Sequence, residues 1–344
     1  MSYRGSGVDP PRRKAEEKDR IRRSSYQTST WLEQDGHLHQ ILDHVNSGYL
    51  PLKYAYAGSA AFTHDTLART SGYAEVIGSA QHEADVLACA LPFALPEQIV
   101  EVGPGNGVHT AAWFDTADVT APRLTGGPRY LGLDFSATLL ALAAETLRAH
   151  RPEVEVCTER WDMEGRPTSY IESWRRGTGP VLACLLGHTL GNLEDPRKAL
   201  RNLAFSLRAG DTLLVSLTLF RPGADEDAIL DPYRSQAFTA AVLEPLRAAA
   251  FADSDLRLEL RLVGRTVIGQ AHILQPTTVA GRTFAQSTAI RCFTSTRFLP
   301  EEALSLLCPL DGWTAAHWAV DDGGTHMAIV ARRTEIGGLT HAYA

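Results

Sequence analysis

The residue types most able to do chemistry lie in two short stretches. The first, IVEVGPGNGVH at Ile99–His109, is an apolar strand that ends in Glu101 and opens into Gly103, Gly105 and Gly107. The second, YLGLD at Tyr130–Asp134, is another apolar strand that ends in a carboxylate. Glycines let a backbone turn tightly and approach a ligand closely. A carboxylate at the tip of the next strand accepts both hydroxyl protons of a ribose. Together they form a nucleoside-binding arrangement, with a ligand-free glycine turn as the plain alternative.

The glycine spacing is acidic-x-G-x-G-x-G, not the G-x-G-x-x-G of dinucleotide sites, so a nicotinamide reading lacks its usual support. The pattern resembles motif I of class I S-adenosylmethionine (SAM) methyltransferases. A third stretch, VLACLLGHTLGNLED at Val181–Asp195, narrows the resemblance. A strand that ends in G-x-T-x-G-N is similar to the corresponding segment of the histidine-specific SAM methyltransferases, which include histidine Nα-methyltransferases and dimethylallyltryptophan N-methyltransferases. The resemblance covers roughly residues 30–333.

That resemblance implies a SAM site built from Glu101, Gly103, Gly105, Gly107, His109, Asp134, Phe135, Asp162, Met163 and Gly187. Asp134 would hold the ribose, and Asp162 with Met163 would meet the adenine. His109 stands where the family has a lysine, which makes a contact near the methionine carboxylate pH-dependent. Asn192 would meet the polar part of an amino-acid substrate, and Tyr56, Tyr73 and Tyr233 are candidate pocket tyrosines, with Tyr73 also a candidate catalytic residue. The family pattern I-R-T-E-x-S-x-K-Y/F becomes IRCFTSTRF at Ile290–Phe298, so Ser295 survives while the imidazole-binding carboxylate becomes Phe293.

Losing that carboxylate removes a charge-assisted hydrogen bond of about 1.5–3 kcal/mol from an imidazole. A flat apolar ring instead gains stacking of about 0.5–1.5 kcal/mol beyond its burial. The balance points away from histidine and toward a larger aromatic small molecule of tryptophan or indole type, methylated at nitrogen or on the ring. Phe293 as plain core is the bland counterpart. His188, in the turn after a strand, is a candidate general base. Its other reading is a histidine that donates to a neighbouring carbonyl. Histidine Nα-methylation through another imidazole partner is the rival within the class. A catalytically silent SAM-binding protein is the rival outside it.

These residues need strands and helices to hold them. Segments Ile99–Val102, Tyr130–Leu133, Val154–Thr158, Val181–Leu186 and Thr212–Leu217 read as strands, with helices over Ser136–His150 and Pro196–Leu207. Strand-helix alternation predicts a Rossmann-like, doubly wound parallel sheet. Trp313–Ala319, the DDGG turn at Asp321–Gly324 and Thr325–Arg332 add the antiparallel C-terminal hairpin of the class I methyltransferase sheet. Helical spacing recurs in WLEQDGHLHQILDHV at Trp31–Val45 and near Ser79–Leu91. Residues 221–298 interrupt the alternation with a helical part at about 225–250 and strands at Leu256–Val263, Val267–Leu274 and Ala289–Thr294. The expected organisation is an α+β substrate domain of residues 25–95 and 221–298 over a SAM domain of residues 96–220 and 299–333. A mobile arm (1–24) and a tail (334–344) flank them.

Bulk properties bound the rest. The chain has 344 residues and a net charge of -7, which disfavours a nucleic-acid partner. Its basic run RRKAEEKDRIRR at Arg12–Arg23 is interleaved with acids and reads as solvated. The five cysteines, Cys89, Cys157, Cys184, Cys292 and Cys308, show no ligand spacing, so they read as reduced core thiols. No metal site is expected. With no apolar run of about 18 residues and no signal-peptide core, the expectation is a cytoplasmic protein without a membrane partner. Its oligomeric state is not legible.

Overall fold

The computed structural model describes residues 37–91, 95–120 and 128–335. The expected arm at 1–24 and most of the tail lie outside them. Helix α1 covers 37–46, followed by α2 (Ala60–Ala68), α3 (Ser71–Ile77) and α4 (Ala80–Ala90). Then come β1 (Gln98–Val102), α5 (Val108–Thr120), β2 (Arg129–Asp134), α6 (Ala137–His150), β3 (Glu155–Arg160) and α7 (Tyr170–Trp174). Next are β4 (Val181–Leu185), α8 (Pro196–Phe205) and β5 (Thr212–Thr218).

Strands β1, β4 and β5 are buried along their whole length, as near-continuous apolar runs at the centre of a parallel sheet must be. After the insertion, α11 (Pro300–Leu306), β11 (Trp313–Val320) and β12 (His326–Arg333) close the chain. The seven strands run in the order β11-β12-β5-β4-β1-β2-β3. Only β12 and β11 enter antiparallel, β12 against β5 and β11 against β12. This is the class I methyltransferase sheet. Local chemistry sets its helix ends. Ser136 accepts from Leu139 N–H at α6, and Asp195 accepts from Lys198 N–H at α8, where Pro196 fills the first turn.

The insertion holds α9 (Glu226–Leu230), α10 (Gln236–Ala248), β6 (Leu256–Val263), β7 (Thr266–Ile273), β8 (Thr277–Val279), β9 (Arg282–Phe284) and β10 (Ala289–Thr296). The single helical part read at 225–250 is broken. Pro232 lies in a 3-10 turn, and Ser235 caps a fresh helix by accepting from Phe238 N–H. Strands β10-β7-β6 form an antiparallel sheet, and β7 alternates buried and half-buried residues along its length. One face therefore packs while the other faces outward.

That packed face shares one apolar core with the N-terminal helices. Ile41, Leu52 and Leu67 meet Phe238, Leu246, Val267 and Ile290. The backbone joins them too, because Leu50 N–H donates to Arg291 O at 2.8 Å and Arg291 N–H to Gly48 O at 3.0 Å. Helix α4 departs from the expected division. Its Ala84, Val86 and Leu87 pack with Ile99, Trp113 and Val330 on the large sheet. The cysteines divide as well: Cys184 and Cys292 are buried, Cys89 is exposed, and all five are free thiols. Among the described residues, no helix is long and apolar enough to cross a membrane.

Candidate functional site

The carboxyl ends of β1, β2 and β4 open into a cavity of about 320 Å³. Gly103 leaves β1 at φ +77° with its N–H donating to Leu133 O at 2.8 Å, which ties the ends of β1 and β2 together. A Cβ at Gly103 would stand 2.9 Å from Thr189 Cγ2, so the loop has no room for a side chain. Gly103 and Gly105 line the cavity. Gly107 does not. Its Cβ would meet the Ala143 backbone at 2.9 Å, so it lets α5 approach α6 and is corrected here from ligand contact to helix packing.

Asp134 ends β2 on the cavity wall and is 8 % exposed. Its Oδ1 accepts from Ser136 N–H at 2.8 Å. Burial pushes the carboxyl up to about 7, against the backbone N–H groups of Ser136, Gly105 and Phe135. A buried carboxylate with no cation against it among the described residues fits a ligand that brings hydroxyl donors, as a ribose does. Phe135, Trp161, Asp162 and Met163 line the same end. Lys53 also reaches it. Its Nζ pairs with Asp162 Oδ2 at 2.6 Å and lies 5.1 Å from the centre of the Phe135 ring.

At the other end, Glu101 is buried and accepts from Thr110 Oγ1 and Tyr130 Oη, each at 2.8 Å. Burial pushes its carboxyl up to about 7 despite those donors. His109 lines the cavity and pairs through Nε2 with the buried Glu83 Oε2 at 2.8 Å. Burial opposes charging His109, but Glu83 and Glu101 outweigh it and raise its pKa. Gly187 also lines the wall, and its N–H donates to Ser216 Oγ at 3.0 Å.

A second, smaller chamber of about 40 Å³ lies against the first. Tyr56, His64, Tyr73, Ile77, Gly187 and Asn192 line both. Tyr233, Phe293 and Ser295 face only the smaller chamber, with Phe238. Phe293 packs edge-on to Phe238 at 4.8 Å and tilted to Tyr233 at 5.4 Å, and Tyr233 Oη is 3.4 Å from Ser295 Oγ. Among the described residues, the chamber wall carries no carboxylate, lysine or arginine. Burial raises the Tyr56 and Tyr73 phenols, so both stay neutral, while Asn192 beside Tyr56 works against the rise.

His188 is a correction. It sits at φ +67° and is 1 % exposed, outside both cavity walls. Its Nδ1 accepts from Thr218 N–H at 2.9 Å. Burial, with His326 and Arg297 nearby, pushes it down to about 3, so it is not positioned or poised to act as a base. Three residues that sequence reasoning passed over line the main cavity or support it: Lys53, His64 and Glu83. Lys53 and His64 lie in the segment before the recognisable motifs. Glu83 reads in sequence only as an acid in a helix's first turn. Among the described residues, no group of three or more His, Cys, Asp or Glu is gathered as metal ligands would be.

Comparison with known proteins adds a family and distant folds. The family described as histidine-specific methyltransferase, SAM-dependent, matches residues 79–333. No curated protein matches in sequence. Among solved structures, the CcbJ methyltransferase of Streptomyces caelestis is 16 % identical and aligns over 83 % of this chain and 100 % of its own, with a TM-score of 0.43. CalS10, an amino pentose methyltransferase of Micromonospora echinaspora, is 18 % identical over 78 % of this chain and 94 % of its own, with a TM-score of 0.37. The sugar N-methyltransferase KedS8 of Streptoalloteichus sp ATCC 53650 is 17 % identical over 78 % and 90 %, with a TM-score of 0.40.

Proposed function

Because the chain belongs to the histidine-specific SAM-dependent methyltransferase family, we propose that its acceptor is an aromatic small molecule of tryptophan or indole type rather than free histidine. The enzyme is a SAM-dependent methyltransferase. Bound SAM supplies a sulfonium-activated methyl group. On this reading Asp134 holds the ribose hydroxyls, and Asp162 and Met163 flank the adenine. Glu101 and His109 lie toward the methionine end, beside the glycine loop. Tyr56 and Asn192, which line both cavities, present the polar edge to the acceptor. The segments that share one core, 37–76 and 221–298, carry the acceptor side.

The observation that carries the acceptor assignment is Phe293. It stands in the smaller chamber between Tyr233 and Phe238, where a wall without carboxylates offers an imidazole N–H no charged partner. An indole that enters from the shared mouth meets aromatic edges instead. A tryptophan-derived cyclic dipeptide, as tailored in natural-product biosynthesis, satisfies the same wall because it needs no free amino-acid carboxylate. The family's description supports histidine itself as the second reading.

The experiment incubates the enzyme with SAM and, separately, L-tryptophan, a tryptophan cyclic dipeptide and L-histidine, and reads methyl gain by mass spectrometry. Wild type is expected to methylate an indole-bearing compound and leave histidine untouched. Phe293→Glu should lower the indole rate, because an unpaired carboxylate is costly to bury against a ring. Efficient histidine methylation by wild type would move the assignment to histidine.

A further inference from the structure

We propose that His64 is a positioning residue of the transfer itself, accepting a hydrogen bond from the reacting N–H of the acceptor where the two cavities meet. The proposal rests on the methyltransferase reading above, and adds a role for a helix that carries none of its sequence motifs.

His64 lies mid-way along α2 and is 7 % exposed. It is one of the six residues that line both cavities. A Cβ built on Gly105 would lie 3.9 Å from His64 Nε2, so the ring stands directly beside the glycine loop that shapes the larger cavity. On its far side begins the chamber that holds Phe293. A methyl group that passes from a ligand of the first cavity to a ligand of the second crosses this junction.

The ring is held edge-on by two tyrosines, Tyr56 at 4.7 Å and 78°, and Tyr73 at 5.5 Å and 84°. These contacts fix its plane without consuming its polar atoms. Among the described residues, no hydrogen bond reaches either ring nitrogen, and neither nitrogen is among the fully enclosed orphan atoms. The free nitrogens therefore open onto cavity space. A histidine that served only to fill the core would have its nitrogens bonded or sealed.

Burial keeps the ring neutral, pushing it down to about 4 even though Asp65 pulls the other way. A neutral imidazole offers one acceptor nitrogen. It does not add a positive charge beside a sulfonium. So weak a base does not strip an aliphatic ammonium. The nitrogen must arrive uncharged, as a free amine or an aromatic N–H. As that nitrogen gains the methyl carbon, the methyl–sulfur electron pair stays on sulfur. Where that nitrogen is aromatic, methylation makes its N–H acidic, and the proton leaves along the hydrogen bond to His64 and then to water; a methylated aliphatic amine keeps its proton and departs as the ammonium. Tyr56 and Tyr73, both neutral phenols, are the other titratable groups on the ring's faces.

The test uses the full chain, SAM and the compound of the panel above that wild type methylates. If wild type methylates none, the functional reading fails and His64 is not at issue. His64→Phe keeps a flat ring between the two tyrosines and removes both nitrogens. It is expected to bind SAM as tightly as wild type by calorimetry, with kcat about 100-fold lower and KM little changed. His64→Gln, which keeps an acceptor, should recover part of that loss. His64→Ala should recover kcat when imidazole, but not cyclopentane-sized apolar solute, is added. A purely structural role predicts the reverse: His64→Phe active, His64→Gln impaired, imidazole without effect. Full kcat in His64→Phe overturns the proposal. If that variant does not fold, failure of imidazole to restore His64→Ala overturns it equally.

Discussion

At the scale of single residues, Asp134 links cofactor binding to the cost of keeping the site. Its carboxyl is pushed up to about 7 by burial. The unfolded chain ionises from the ordinary carboxylate range upward, while the folded chain resists until about 7. Stability contributed by this group is therefore whole at low pH and is lost as pH rises through that interval. Asp134→Asn keeps an oxygen for Ser136 N–H and removes the buried charge. We expect the ligand-free variant to melt higher than wild type at pH 8, with the gap closing toward pH 4. The same variant should bind SAM at least about tenfold more weakly, since a charge-assisted bond to hydroxyls is worth about 1.5–3 kcal/mol. Thermal melts across pH, with calorimetry at pH 8, measure both, and a tightly binding Asp134→Asn would remove Asp134 from the ribose. Asp134 was legible because a strand-end carboxylate follows a glycine loop at fixed spacing. His188 was less legible, and sequence leaves it as either a base or a structural histidine. Sequence places it at the right turn, but only packing shows that its Nδ1 is taken by Thr218 N–H.

At the scale of elements, the parallel sheet and its hairpin were readable because buried strands are apolar runs and their connections are short. The insertion was half readable. Strands β6, β7 and β10 alternate and show themselves, whereas the short hairpin of β8 and β9 has only three residues per strand and no pattern to carry. Helices α2 and α3 fall within residues 25–95, which read as helical, but their individual bounds are not marked. They are nine and seven residues long, and apolar residues surround α2 rather than stripe it. Gly107 shows what motif reading misses about packing, since the third glycine serves the contact of α5 with α6. Gly107→Ala places a Cβ 2.9 Å from Ala143 Cα at φ +77°, with backbone that cannot yield. Gly210→Ala has a similar positive φ of +92° and meets nothing within 4 Å. Strain alone costs roughly 1–3 kcal/mol at either site. Denaturant melts should therefore show Gly107→Ala destabilised beyond Gly210→Ala by about 1 kcal/mol or more, as overpacking adds to strain. Equal losses would mean that the helix contact carries no energy.

At the scale of the whole molecule, the chain leaves the large sheet after β5 and returns beside its point of exit. Phe220 N–H donates to Phe298 O at 2.8 Å, and Phe298 N–H to Thr218 O at 3.1 Å. The buried apolar residues between belong to a core shared with helices that precede the sheet in sequence. If that core is one cooperative unit, a cavity made in the insertion must loosen the N-terminal helices, about 170 residues away along the chain, as much as its own strands. Leu246 is the place to make it. It is fully buried on α10, which packs on α2 and on the segment Leu52–Tyr56. Leu246→Ala should cost about 2–5 kcal/mol through lost burial and the cavity left behind. Hydrogen exchange read by mass spectrometry should then rise together in α2, α10 and strands β6, β7 and β10. Strands β1, β4 and β5, whose cores contain neither α2 nor α10, should keep their protection. Since Tyr56 and His64 ride on the loosened side while Asp134 does not, the acceptor's KM should rise in Leu246→Ala more than the affinity for SAM falls. Faster exchange confined to β6–β10, with α2 unchanged, would show two cores where the packing shows one. It would also separate the acceptor side of the site into parts that move independently.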